Sequence, residues 1–263
     1  MSDYKQEISQ IASLREAKGK EQECLDKISQ LLPKLAEKKL WASVAKMYWE
    51  SHLVWQHTAM SELTKPVEMR NQEIIANGSA KMMEFAKKAI EVIESHNIED
   101  MFGGAYRFLG RAYTFVNDHE KAKECYETAI NKYRGKDVKS KLEVSGFLAD
   151  ALIRLGKPIE GLHLAEKTYE EFHNSESGKN LKEEDYFTWA VWMSGIAPRV
   201  VKALLDTGIA IDKNRILSWL EKVKEELTNP TGVVRWGDPK FEFRINEIDS
   251  AIQATKVQGV CSQ

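Results

Sequence analysis

Arg107 and Arg111 stand one helical turn apart with Phe115 a turn further on, so a helix through this stretch aligns two guanidinium groups and an aromatic ring. A guanidinium forks onto a carboxylate through paired N–H bonds, and an aromatic ring is a common apolar anchor for a bound segment. Lys39, Lys46 and Trp49 take comparable places earlier in the chain, and Asp150 and Arg154 take them later. The set is mostly basic with aromatic residues interleaved. Its chemistry is recognition of a carboxylate or an acidic segment, not the making or breaking of bonds. The same residues also admit a plainer reading, as a solvated face plus ordinary packing between helices.

Residues suited to catalysis or metal binding do not fall at working spacings. There is no Gly-rich phosphate loop, no GxSxG elbow, no HExxH pair and no CxxC motif. His52 and His57 are five apart, which puts them on different faces of a helix, and His119, His163 and His173 are isolated, each with a helix-surface explanation. Cys24, Cys125 and Cys261 are odd in number and scattered; the first two read as small core residues and the third as part of a tail. The runs Glu183-Glu184-Asp185 and Glu225-Glu226 sit beside lysines and read as solvated charge and helix capping. Trp189, Trp192 and Met193 form the densest aromatic cluster, either a ligand pocket or the core of a kinked helix. The expectation is no enzyme activity, no metal and no cofactor.

The elements that must position these side chains follow from apolar periodicity. Ala122, Cys125, Tyr126, Ala129, Ile130 and Tyr133 form an i, i+3, i+4, i+7, i+8, i+11 series, one apolar face of an α-helix. The series recurs at Met82, Phe85, Ala86, Ala89, Ile90 and Ile93, and again at Gly161, Leu164, Ala165, Thr168, Tyr169 and Phe172. It continues more loosely through Ile216, Trp219, Leu220, Val223 and Leu227, and is echoed near the start by Cys24, Leu25, Ile28 and Leu32. Preceding helices align on a small residue set among larger ones: Ala45 with Trp41, Val44 and Tyr48; Gly110 with Tyr106, Leu109 and Tyr113; Ala149 with Ser145, Leu148 and Leu152. The small residue lets a neighbouring helix approach closely.

Turn chemistry supports antiparallel helix pairs. Asn117-Asp118 offers an N-cap to a helix from about His119, while Gly156 can end one helix in the left-handed conformation and Pro158 can open the next. The pair beginning at Trp41 is stretched around a loop near Ser61 to Pro66. Gly195 and Pro198 predict a kink within Asp185 to Asp206. Asn229 to Pro239 reads as a non-repeating loop, after which Phe241, Ile245, Ile248 and Ile252 mark a closing amphipathic helix.

At 263 residues the chain is long for one compact domain, yet the patterning shows no break between independent cores, so one elongated unit is expected. Apolar residues at 43% and charged residues at 30% allow a buried core beneath a solvated surface. The 38 basic and 40 acidic side chains nearly cancel, which argues against general binding to nucleic acid or anionic membranes. The N-terminal sequence lacks a signal-peptide-like apolar run, and no uninterrupted apolar stretch reaches spanning length; a cytoplasmic location is the expectation.

Tyr106, Leu109, Gly110 and Tyr113 reproduce the W-x2-L-G-x2-Y spacing of the tetratricopeptide repeat, and Ala122, Tyr126 and Ala129 supply its following small and aromatic positions. The chain thus resembles a tetratricopeptide-repeat (TPR) protein, with best-matched repeats at 103–136 and 142–175 and an extended hairpin at 38–97. Atypical C-terminal pairs and a cap occupy 183–256, all within a single domain, 1–263. The resemblance implies an all-α fold, an α-α superhelix or solenoid of about five antiparallel helix pairs plus a C-terminal capping helix. It also implies a non-enzymatic protein–protein interaction scaffold or adaptor. A protein or peptide segment would lie in a concave groove lined by the first helices, which gives Lys39, Lys46, Trp49, Arg107, Arg111, Phe115, Asp150 and Arg154 their candidate role. The carboxylate clamp of some members is poorly matched, since Arg111 and Lys46 stand where asparagine is favoured. Alternatives are a regulator that responds to a peptide or small effector, and the helical scaffold of an enzyme subunit.

Overall fold

The computed structural model describes residues 3–63, 65–209, 212–228 and 239–258, and every regular element among them is helical. The all-α expectation holds for these residues. Contacts divide the chain into two compact units, one ending at Tyr133 and the other beginning at Arg134, so the boundary falls within the last residues of the repeat expected at 103–136, and the repeat expected at 142–175 lies in the second unit.

The first unit runs α1 (Asp3–Glu16), α2 (Glu21–Glu37), α3 (Trp41–Leu63), α4 (Gln72–Ser95), α5 (Phe102–Phe115) and α6 (His119–Lys132). Each helix packs on its neighbour in sequence, most extensively α3 on α4 and α5 on α6. At 23 and 24 residues, α3 and α4 exceed the 14 of α5 and α6. With a rise of about 1.5 Å per residue, that makes their hairpin longer by roughly 14 Å. Its connection extends further than the sequence indicated, through a 3-10 turn at Val67–Met69 to the N-cap Asn71, whose side chain accepts from the Glu73 and Ile74 amides.

The apolar series of the second helices becomes core as expected. Met82, Ala86, Ala89 and Ile93 are buried on α4, as are Ala122, Cys125, Tyr126 and Ala129 on α6. On α5 the register is broader: Gly110 is buried, Tyr106, Leu109 and Tyr113 are half-buried, and Ala105, Phe108 and Ala112 lie deepest. Contact with α4 on one side and α6 on the other makes this helix bury two stripes, not one. Gly110 is the close-approach point, because a Cβ there would fall 2.5 Å from the Tyr126 ring. Burial pushes the Cys24 thiol up to about 11 and the Cys125 thiol to about 12, so both stay protonated; Cys261 lies outside the described residues.

Five helices end in one hydrogen-bonded device. After α2, α4 and α5 the residues Lys39, Asn97 and Asn117 adopt φ values of 54°, 47° and 58°, and after α7 and α11 Gly156 and Gly208 adopt 77° and 67°. In each case the next amide reaches back five residues: Leu40 to Leu35, Ile98 to Ile93, Asp118 to Tyr113, Lys157 to Leu152 and Ile209 to Leu204, at 2.9 to 3.3 Å. This is the Schellman stop, which satisfies the last carbonyls of a helix. Asp118 then caps α6 by accepting from the Lys121 amide.

The second unit contains α7 (Ser140–Arg154), α8 (Pro158–Asn174), α9 (Glu176–Glu184), α10 (Tyr186–Ser194), α11 (Ile196–Asp206), α12 (Lys213–Thr228) and α13 (Pro239–Gln258). Pro158 opens α8 as expected. The short α9 was not legible in advance: Ser175 ends α8 and also caps α9 by accepting from the Gly178 amide, so no linker marks the junction. The expected kink is a complete break, with α10 stopping at Ser194 and α11 starting at Ile196. Arg244 of α13 lies against Gly195, where a Cβ would stand 2.9 Å from Nη2, and that nitrogen donates to the Val191 carbonyl. Pro198 falls in the first turn of α11, where no N–H is needed. Phe241, Ile248 and Ile252 of α13 are buried and Ile245 packs beside them, matching the predicted closing helix. The loop expected from Asn229 lies outside the described residues up to Pro239, which opens α13.

Candidate functional site

Of the residues singled out by spacing, the fold joins those on α3 and α5. Trp49, half-buried on α3, lies over Gly104 of α5, where a Cβ would stand 2.7 Å from the indole, and stacks on Phe108 with ring centroids 5.1 Å apart. Only a glycine leaves room for that indole. The Arg107 guanidinium covers Phe108 at 4.8 Å, and that of Arg111 covers Phe115 at 5.4 Å. Both arginines are half-buried, which strengthens cation–π contact over a fully hydrated pair. Lys46 is exposed on α3, one turn before Trp49.

His52 sits beneath these side chains, fully buried, its ring edge-on to Phe108 at 5.0 Å. Nδ1 is 3.0 Å from the Met82 carbonyl oxygen, which can only accept, so the imidazole carries its hydrogen on Nδ1. Burial first, and then the positive charges of Arg107 and Arg111, push its pKa down to about 3, against the opposing pull of the Met82 carbonyl. It is a neutral core residue. The sequence did not reveal that it underlies the arginines, since α3 and α5 are more than forty residues apart there. Phe108 was missed too, although it links Trp49, His52 and Arg107.

The remaining candidates have other surroundings. Lys39 is not on α3; it is the exposed left-handed residue of the turn before it. Thr114, next to Phe115, donates to the Gly110 carbonyl and accepts from the Tyr126 hydroxyl at 2.8 Å, fastening α5 to α6. Asp150 and Arg154 belong to the second unit, where Asp150 is buried and accepts from Arg154 Nε at 3.1 Å. Arg154 reaches on to Asp206 of α11 at 3.1 Å, and Lys202 bonds Asp206 at 2.9 Å. This network ties α7 to α11.

Trp189 and Met193 are core, with Trp189 Nε1 donating to the Phe172 carbonyl at 2.8 Å; Trp192 is half-buried against the same cluster. Two sequence readings need correcting beside them. His173 and Glu226 are half-buried and bonded to one another at 2.9 Å, so neither is a freely solvated helix-surface group. Their separation of 53 residues leaves no local signal for the pairing.

Among the described residues, no group of three or more His, Cys, Asp or Glu is placed to hold a metal, and no helix is long and apolar enough to cross a membrane. No protein-family model matches the chain, and no curated protein matches it in sequence. Among solved structures it is similar to one described under "Computational Design of Self-Assembling Cyclic Protein Homooligomers", at 13% identity over 96% of this chain and 98% of that one, with a TM-score of 0.28. A likeness that shallow carries no argument.

Proposed function

We propose that this protein is a non-enzymatic interaction scaffold of tetratricopeptide type, its hairpins stacked as in an α-solenoid, which holds a peptide or protein segment along α3 and α5. One observation supports this above the rest: the first helices of two successive hairpins bring Trp49, Arg107 and Arg111 into one aromatic and cationic surface, with the Trp49 indole and the Arg107 guanidinium laid on buried Phe108. An acidic segment fits it best. Carboxylates would engage the guanidinium groups and an apolar side chain would rest on the Trp49 indole. The free, buried Cys24 and Cys125 suit a reducing setting, and we place the activity in the cytoplasm.

The test is selection of a displayed random peptide library against the full chain, followed by anisotropy titration of the selected peptides. Acidic sequences should be enriched, and Arg107→Glu with Arg111→Glu should weaken their binding by at least about tenfold while helicity is kept. Selection of no peptide, or affinity unchanged in the double variant, would reject the reading.

A further inference from the structure

His173 has an arrangement that the interaction surface does not use. Its Nδ1 lies 2.8 Å from the Tyr169 backbone oxygen and its Nε2 lies 2.9 Å from Glu226 Oε2. Glu226 Oε1 meanwhile accepts from the Tyr169 hydroxyl at 2.7 Å. A neutral imidazole has one N–H, yet both ring nitrogens here face oxygen acceptors. The pair therefore holds one proton more than a neutral histidine beside an ionised carboxylate. Without it, a nitrogen lone pair confronts the carboxylate.

The consequence falls on α12, which contacts α8 through ionic groups at both ends. Near its start, Arg215 Nε donates to Glu166 Oε1 at 2.8 Å. Near its end stands Glu226, followed by the buried Leu227. We propose that His173 and Glu226 form a proton-operated latch, which clamps the last turns of α12 onto α8 while His173 is protonated and releases them when that proton leaves.

The surroundings of the latch come from four helices. On α8, Tyr169 is the only other titrating partner bonded to it. From α12, Lys222 lies over the Tyr169 ring at 5.3 Å and opposes the cation on His173. From α10, Trp189 meets the His173 ring edge-on at 5.4 Å and Tyr186 packs on Trp189, close enough to feel Glu226. From α9, Lys182 covers the Trp189 ring at 4.4 Å. The bond to Glu226 outweighs burial and the lysine, and raises His173 above its ordinary value of 6.5. Burial opposes the Glu226 charge, but the bonds from His173 and Tyr169 prevail and lower its pKa. A raised histidine lends stability that is complete below 6.5 and is lost as pH rises through the folded value. A depressed carboxylate lends stability that is lost in acid. The latch is thus tightest in mildly acidic solution and opens toward alkaline pH.

The experiment is an NMR titration of the histidine ring signals in the full chain, paired with amide-exchange protection factors for the end of α12 across the same pH range. His173 should titrate above 6.5, and protection around Glu226 should fall through that midpoint by up to about tenfold per pH unit, the limit for one linked proton. Glu226→Gln should lower the midpoint and flatten the protection profile. Tyr169→Phe, which leaves the ion pair in place, should keep both. A His173 midpoint at or below 6.5, or α12 protection that does not follow it, would overturn the latch.

Discussion

His52 in the first unit and His173 in the second begin alike and end in different charge states, one neutral and one cationic. Each bonds Nδ1 to a backbone carbonyl, and each presents its ring edge to an aromatic neighbour, Phe108 for one and Trp189 for the other. What differs is the environment of the remaining nitrogen. His52 is fully buried near two guanidinium groups and stays neutral, whereas half-buried His173 meets a carboxylate and holds its proton. Side-chain identity and a carbonyl bonded to Nδ1 are shared, so full burial decides at His52 and the Glu226 carboxylate decides at His173.

The largest effect that can break this comparison is acid sensitivity in the first unit. His52 takes up a proton near 6.5 when unfolded but only near pH 3 when folded. Its contribution is therefore complete above 6.5 and is lost as pH falls, at up to about 1.4 kcal/mol per pH unit. Denaturant midpoints measured from pH 7 to 4 should show this slope, and His52→Gln should remove it; equal slopes would mean that His52 is not neutral in the fold.

Next in size is the frame that holds the arginines. Gly110→Leu must displace the Tyr126 ring, and with it the Thr114 bond, so it should cost about 1 to 3 kcal/mol. A wild-type midpoint would mean that α5 and α6 are not in this register.

A smaller contrast uses the same turn in both units. Lys39→Gly should stabilise the first unit by about 1 kcal/mol and Gly156→Ala should destabilise the second by about as much, since both sites have φ above 50° and only glycine adopts it freely. Shifts of the same sign would contradict the shared geometry.

The smallest expected change sharpens the pairing of the histidines themselves. Arg107→Glu with Arg111→Glu replaces cations by carboxylates near His52 and should move its titration upward, toward the behaviour of His173. Burial is the leading cause of its depression, so the shift should remain modest. Ring chemical shifts followed from pH 6 to 3 would report it, and an unmoved midpoint would separate His52 from the arginines.

The parts of the fold written in sequence were those governed by neighbours along the chain. Six-residue apolar series located the buried faces of α4, α6 and α8, and Pro158 located a helix start. The glycine at 110 marked a close approach. Lys39 gave no sign of its left-handed turn, because that backbone is imposed by the helix it ends and not by lysine. Gly195 suggested a bend, but the extent of the break depends on Arg244, which arrives from α13. At the candidate site, Arg107 and Arg111 were legible from spacing alone. Phe108 and His52 were not, since an apolar residue of α5 that meets α3 has no signature distinct from those that face α4 and α6.

The Schellman stops carry a consequence for how the chain is made. Each is closed by bonds among six consecutive residues, such as Leu35 to Leu40, and draws on nothing that lies further along. During synthesis, a helix of this kind can fix its own end before the next one has left the ribosome, and the direction change is stored locally. Such short-range closure keeps contact order low and favours rapid, stepwise folding from the N-terminus.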